Sequence, residues 1–215
     1  MKQFGALEGH FTPPARGGTP SSLIVILHGW GADGSDLADL ARPLAVRFPG
    51  AAFFVPHAPD PCSMNPMGRQ WFDIDDRVNG PVVAAPIIDA AVAAACAELD
   101  LSTDAVALMG FSQGGMMSLH CGLHADHPPA AVVSFSGALL VHDQISADAT
   151  RHPVVQLVHG TDDQVVPFAL MAASASILEA KSITVETVAR PGLGHGIDPD
   201  GLTAAINFLA KVLPA

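Results

Sequence analysis

The sequence predicts an α/β protein built on one mostly parallel sheet with helices on both faces. Short apolar runs alternate with longer segments of helical spacing along the whole chain. The runs show no polar face, as expected of strands buried on both sides. The third observation is Gly110-Phe111-Ser112-Gln113-Gly114, a Gly-x-Ser-x-Gly string between a strand-like run and a helix-like one. Such strings arise by chance in glycine-rich chains; the flanking strand and helix make this one specific.

From the N-terminus, residues 1–21 read as a short edge strand and a Gly/Pro-rich loop. Ser22–Leu27 is a buried strand ended by His28-Gly29-Trp30-Gly31. Leu37, Leu40, Leu44 and Phe48 share one helical face, with Ser35 or Asp36 available as cap, and Pro43 must lie in the first turns or kink the helix. Ala51–Val55 is a strand, followed by a Pro-rich loop from Pro56 to Gln70, a length usually tied to function. Val82–Leu99, alanine-rich but carrying Pro86 and Asp89, reads as a buried or half-buried helix and not a membrane span. Ala105–Met109 is the strand before Ser112, and Ser112–Leu123 the helix after it. Ala131–Phe135 and Val154–Val158 are buried strands, Phe168–Ala180 a helix, Ile183–Val188 a strand and Asp200–Leu213 a closing helix. No repeat or linker divides the chain, so residues 1–215 are expected to form a single domain.

Composition narrows the function. An apolar fraction of 49% against 14% charged residues is that of a well-buried globular protein. A formal charge of −11 with no Lys/Arg cluster argues against nucleic acid or an anionic membrane as partner. The N-terminus lacks the apolar stretch of a secretory signal. Cys62, Cys96 and Cys121 have no metal-type spacing, and an odd count closes no disulfide framework. A reducing, cytoplasmic location without integral membrane association is expected.

A nucleophile on a sharp strand-to-helix turn needs small residues two before and two after it, because the backbone is cramped there. The same turn sets the Gln113 N–H at a helix N-terminus, where it can stabilise an anion. In such sheets ligands bind at the carboxyl ends of strands. After Val154–Val158 come Asp162 and Asp163; after the last strand comes Gly194-His195-Gly196. Ser, Asp and His in that chain order are the order of α/β-hydrolases. Position alone leaves Asp162 and Asp163 near parity for the acid. His28 and His159, each before a glycine at a strand end, read as structural, their rings bonded to nearby backbone. His120, His124 and His127 share helical spacing that could hold a metal, but no carboxylate stands in the HExxH position, and a histidine at a helix C-terminus is favourable without a metal. Met116-Met117 reads as core packing.

Together, LHGWGADG (27–34), QWFDI (70–74), GFSQGG (110–115), SFSGALL (134–140), HGTDDQVVP (159–167) and PGLGHGI (191–197) resemble the phospholipase/carboxylesterase family, which includes the acyl-protein thioesterases. The resemblance implies the α/β-hydrolase fold with little or no lid. It implies Ser112 as nucleophile, His195 as base and Asp163, fifth from His159, as acid. It also implies oxyanion donors at the Trp30 and Gln113 backbone N–H groups, with no metal or organic cofactor. The implied activity is hydrolysis of short- to medium-chain acyl esters or thioesters, the partner being that small-molecule substrate. Residues 61–69 look shorter than in acyl-protein thioesterases, which weighs against the alternative of long-chain thioesterase or lysophospholipase activity. A non-catalytic ligand binder on the same fold is the alternative of another class. Trp71 and Phe72 either line an apolar acyl pocket or pin the long loop to the core. A homodimer is left open, no stretch marking an interface.

Overall fold

The computed structural model describes residues 1–145 and 152–214. Strands β1 (Lys2–Phe4) and β2 (Leu7–Thr12) lead into β3 (Ser22–Leu27), the short helices α1 (Ser35–Ala38) and α2 (Ala41–Arg47), and β4 (Ala51–Pro56). A two-stranded ribbon of β5 (Asp60–Pro61) and β6 (Arg69–Gln70) precedes α3 (Gly80–Leu99), β7 (Val106–Phe111) and α4 (Gln113–His124). Then come β8 (Ala131–Phe135), β9 (Val154–Gly160), α5 (Ala169–Ala180), β10 (Val185–Arg190) and α6 (Pro199–Leu209).

Eight strands form one sheet in the order β1-β2-β4-β3-β7-β8-β9-β10. From β4 to β10 every pairing is parallel; β1–β2 and β2–β4 are antiparallel. Alternate residues of the central strands feed two cores. Leu23, Val25 and Leu27 point to the side of α3, α4 and α5. Ile24 and Ile26 point to the side of α1, α2 and α6. Register aligns the strand ends: Leu27 pairs with Gly110, Phe111 with Phe135, Phe135 with Val158, and Arg190 with Gly160. The chain runs outward from β3 to β4 and then crosses back to β7. The switch point therefore falls between β3 and β7, where a crevice forms beyond the carboxyl ends.

Several elements depart from the sequence expectation, each for a physical reason. The N-terminal segment makes two strands instead of one. The helix expected over 37–48 is split in two, because Pro43 has no N–H for the Asp39 carbonyl and is tolerated only in the first turn of a new helix. Neither Ser35 nor Asp36 caps α1; Asp33 Oδ1 instead accepts the Ser35 N–H at 2.7 Å. The last strand lies two residues later than its apolar pattern suggests, because the Ile183 N–H closes α5 on the Leu178 carbonyl. It does have a polar face, its edge position being shielded by Glu186 and Arg190. Helix α6 stops at Leu209, short of Leu213, and starts on Asp198, whose side chain accepts the Gly201 N–H at 2.9 Å. Helix α3 is long and apolar enough to cross a bilayer by composition. It lies instead along the sheet, with Ala84, Ala85, Ile88, Ala91 and Ala95 buried.

Candidate active site

Ser112 stands between β7 and α4 with φ +54° and ψ −118°, a left-handed backbone that a residue with a Cβ rarely adopts. The surroundings impose it. The Ser112 N–H donates to the Phe135 carbonyl at 2.8 Å, while its own carbonyl accepts the Met116 N–H at 2.9 Å. A Cβ on Gly110 would overlap the Gly114 carbonyl, and one on Gly114 the Leu27 carbonyl. The turn can be this tight only with glycine at both positions.

Beyond β9 and β10 two loops are tied together. The Thr161 N–H donates to the Arg190 carbonyl, Asp162 N–H to the Leu193 carbonyl, and Gly192 N–H to Thr161 Oγ1. That lacing brings His195 to Asp163, with Nδ1 and Oδ2 2.7 Å apart. Asp162 is exposed and accepts the Thr161 hydroxyl instead. The Asp163 side chain is wholly buried, and its Oδ1 accepts the Val165 and Val166 N–H groups, each at 2.9 Å. Burial by itself would push the carboxyl up; the bonds from His195, Val166 and Val165 hold it below the usual carboxylate range. An ionised Asp163 keeps the proton on Nδ1 and leaves Nε2 with its lone pair. The His195 ring rests against Phe111, centroids 4.8 Å apart.

Ser112, His195 and Trp30 line one cleft of about 370 Å³. Its walls are apolar, with Met116, Leu140, Val166 and Leu170 among them, and Asp36 and Arg77 supply its charge. Gln113 is the first residue of α4, so its N–H has no acceptor within the helix. The loop carrying the Trp30 N–H is strapped from outside: Gly31 N–H donates to the Arg69 carbonyl, Arg69 N–H to the Ala32 carbonyl, and Asn65 Nδ2 to the Gly31 carbonyl. The long loop is therefore a ribbon laid over the segment that follows β3.

Trp71 and Phe72 do not stand in the cleft wall. They are 2% and 4% exposed and belong to the core between the sheet and α3. The reason is polar: the Gln113 carboxamide accepts the Trp71 N–H at 2.9 Å and donates to the Phe72 carbonyl at 2.8 Å. The Trp71 indole in turn donates to the His28 carbonyl at 2.9 Å. Sequence reasoning used Gln113 only for its backbone. The overlooked signal was a polar side chain at the head of a helix of glycines and methionines, which must find partners if buried.

His28, His159 and His124 each bond to backbone. His28 Nδ1 donates to the Gly29 carbonyl and its Nε2 accepts the Ala58 N–H, while burial drives its pKa down. His159 Nε2 donates to the Val166 carbonyl at 2.9 Å and lies 3.3 Å from Asp163 Oδ2, a contact its sequence position did not suggest. His120 and His124 stack at 4.2 Å, with His124 Nδ1 on the His120 carbonyl. Among the described residues no three His, Cys, Asp or Glu side chains converge as a metal site.

Comparison with known proteins agrees with this architecture. The family model for phospholipase/carboxylesterase matches residues 15–213. Esterase YpfH of Escherichia coli K12 is 27% identical over 212 residues, covering 95% of this chain and 89% of that protein. Acyl-protein thioesterase 1 of Gibberella zeae is 28% identical over 219 residues, covering 90% and 92%. Among solved structures, esterase PE8 superposes with a TM-score of 0.91 at 36% identity, covering 96% of this chain and 99% of that one. SOBER1 of Arabidopsis thaliana gives 0.80 at 25% identity, covering 90% and 99%. With the strained strand-to-helix turn at Ser112, the parallel sheet and a family match over nearly its whole length, the chain belongs to the phospholipase/carboxylesterase family of α/β-hydrolases.

Proposed function

We propose that the protein hydrolyses short- to medium-chain acyl esters or thioesters through an acyl-enzyme on Ser112. The observation that carries this is the buried Asp163 carboxylate 2.7 Å from the Nδ1 of His195, a residue that shares one cleft with Ser112 on its strained turn. His195 Nε2 takes the Ser112 proton as Oγ attacks the carbonyl, and Asp163 stabilises the imidazolium that forms. The oxyanion is held by the Trp30 and Gln113 N–H groups; one such donor contributes about 3 kcal/mol in comparable sites. His195 then protonates the departing alcohol or thiol, and water, deprotonated by the same ring, releases the acid.

A cleft of about 370 Å³ is near the lower end of the range of about 300–1,000 Å³ for small-molecule pockets, which favours short acyl groups over long ones. The thioesterase name of several relatives supports including thioesters. Three free, buried cysteines support a reducing, cytoplasmic location.

The test is labelling by a fluorophosphonate probe with peptide mapping, joined to a chain-length series of p-nitrophenyl esters and acyl thioesters. The expected result is modification at Ser112 and a rate optimum at short or medium chains. Ser112→Ala is expected to stay folded and lose turnover by about four to six orders of magnitude. An unlabelled wild-type protein, or near-normal turnover by Ser112→Ala, would reject the assignment.

A further inference from the structure

Gln113 reaches the oxyanion segment by a route that does not pass through the cleft. Its carboxamide, 0% exposed, pairs with the Trp71 N–H and the Phe72 carbonyl as a neighbouring strand would. The Trp71 indole N–H donates to the carbonyl of His28, and the two rings pack with centroids 5.2 Å apart. His28 is locked in turn by Gly29 and Ala58. Two residues further on is the Trp30 N–H. The indole of Trp30 donates to Gln70 Oε1 at 3.0 Å, which returns the path to the residue before Trp71. A closed set of hydrogen bonds thus joins the head of α4 to the loop after β3.

We propose that the Gln113 carboxamide and the Trp71 indole are positioning groups that set the separation of the two oxyanion donors. The proposal rests on the Ser112 hydrolase reading. Its physical basis is that an oxyanion hole lowers the barrier only when both N–H groups converge on one point before the charge develops. One donor is on a helix and rigid. The other is on a segment, His28–Ala32, that belongs to no helix or strand and includes Gly31 at φ +80°. The β5–β6 ribbon holds that segment from outside; the Gln113–Trp71–His28 bridge ties it from inside to the residue bearing the first donor. The same bridge accounts for two aromatic residues beside the site being spent on the core.

The experiment uses Trp71→Phe, which removes the indole N–H while keeping an aromatic ring in the core, Gln113→Met, which keeps the backbone donor, and the double variant. Each is assayed for kcat and KM on p-nitrophenyl butyrate. Affinity for a trifluoromethyl ketone, whose hemiketal oxyanion occupies the hole, and the pH dependence of kcat/KM are measured alongside. Each single variant is expected to lose kcat by about 10- to 100-fold, less than deletion of a donor outright. KM should stay within about threefold, and ketone affinity should fall in step with kcat. The acid limb of the pH profile should not move, because neither side chain touches His195 or Asp163. The double variant should be no worse than the weaker single by more than about twofold, because both cut one bridge.

A folded Trp71→Phe enzyme with kcat and ketone affinity within about twofold of wild type would overturn the proposal, whether or not Gln113→Met folds. A loss confined to KM would do the same, marking Trp71 as part of a binding wall. If fluorophosphonate fails to label Ser112 in the wild-type protein, the hydrolase reading fails and takes this proposal with it. Labelling of wild type beside an unaffected Trp71→Phe removes the positioning role alone.

Discussion

Ser112 and Asp163 show how much a single position owes to its surroundings. Non-glycine backbone at φ +54° costs on the order of 1–3 kcal/mol and persists because neighbouring hydrogen bonds allow nothing else. The glycines at 110 and 114 announce that turn in the sequence, since no other residue fits against the Gly114 and Leu27 carbonyls. The aspartate that meets His195 is a different case. Asp162 and Asp163 are chemically identical neighbours, and only the turn of the chain buries one and exposes the other. Asp163→Asn should lower kcat/KM by about 10⁴-fold, because an amide leaves the His195 ring in the wrong tautomer and its cation without a counter-charge. Asp162→Asn, which alters a solvent-facing bond to Thr161, should stay within about threefold. Comparing the two variants on a chromogenic ester checks the assignment, and the reverse ranking would exchange their roles.

Helix α4 combines two unrelated tasks along its length. Its first residue holds a backbone N–H free of the helix, the proposed oxyanion donor, while its last turn stacks His120 on His124. His120 is 5% exposed, and its Nδ1 is buried with no hydrogen-bond partner. Burial, reinforced by the His124 charge, drives its pKa from 6.5 down to about 4. The folded protein therefore holds fewer protons than the unfolded chain between those values, and stability must fall as pH drops through that window. The loss approaches about 3 kcal/mol below pH 4 for a shift of this size. Urea unfolding at a series of pH values should show this slope in the wild type and a shallower one in His120→Leu; parallel slopes would contradict it. The regular spacing of His120, His124 and His127 is visible in the sequence, but periodicity cannot tell a metal site from a stacked pair, because it reports the face and not what faces it. The segment from Pro56 to Gln70 is similar: its length marked it as functional, yet its pairing with Gly31 and Ala32 depends on residues some forty positions earlier.

Across the whole molecule the formal charge of −11 is spread over a surface with only 10 Lys and Arg residues. Self-repulsion of that size should be relieved by salt: raising ionic strength toward 0.15 M shortens the screening length to about 8 Å. The melting temperature is therefore expected to rise between low and physiological salt, and a constant or falling value would show that local ion pairs such as Arg190 with Asp198 and Asp200 outweigh the net repulsion. The parallel sheet, its two-sided burial and the sharp turn at Ser112 could all be read from the chain, since strand pattern and turn sterics are local properties of consecutive residues. The positions of Ser112 and His195, the proposed nucleophile and base, were legible for the same reason, each being announced by glycines around it. Not legible were which aspartate meets His195, the inward turn of Trp71 and Phe72, and the bridge from Gln113 to His28. Each depends on contacts between residues about 30 to 45 apart in sequence, and such a contact exists only once the sheet has brought its strand ends to one edge.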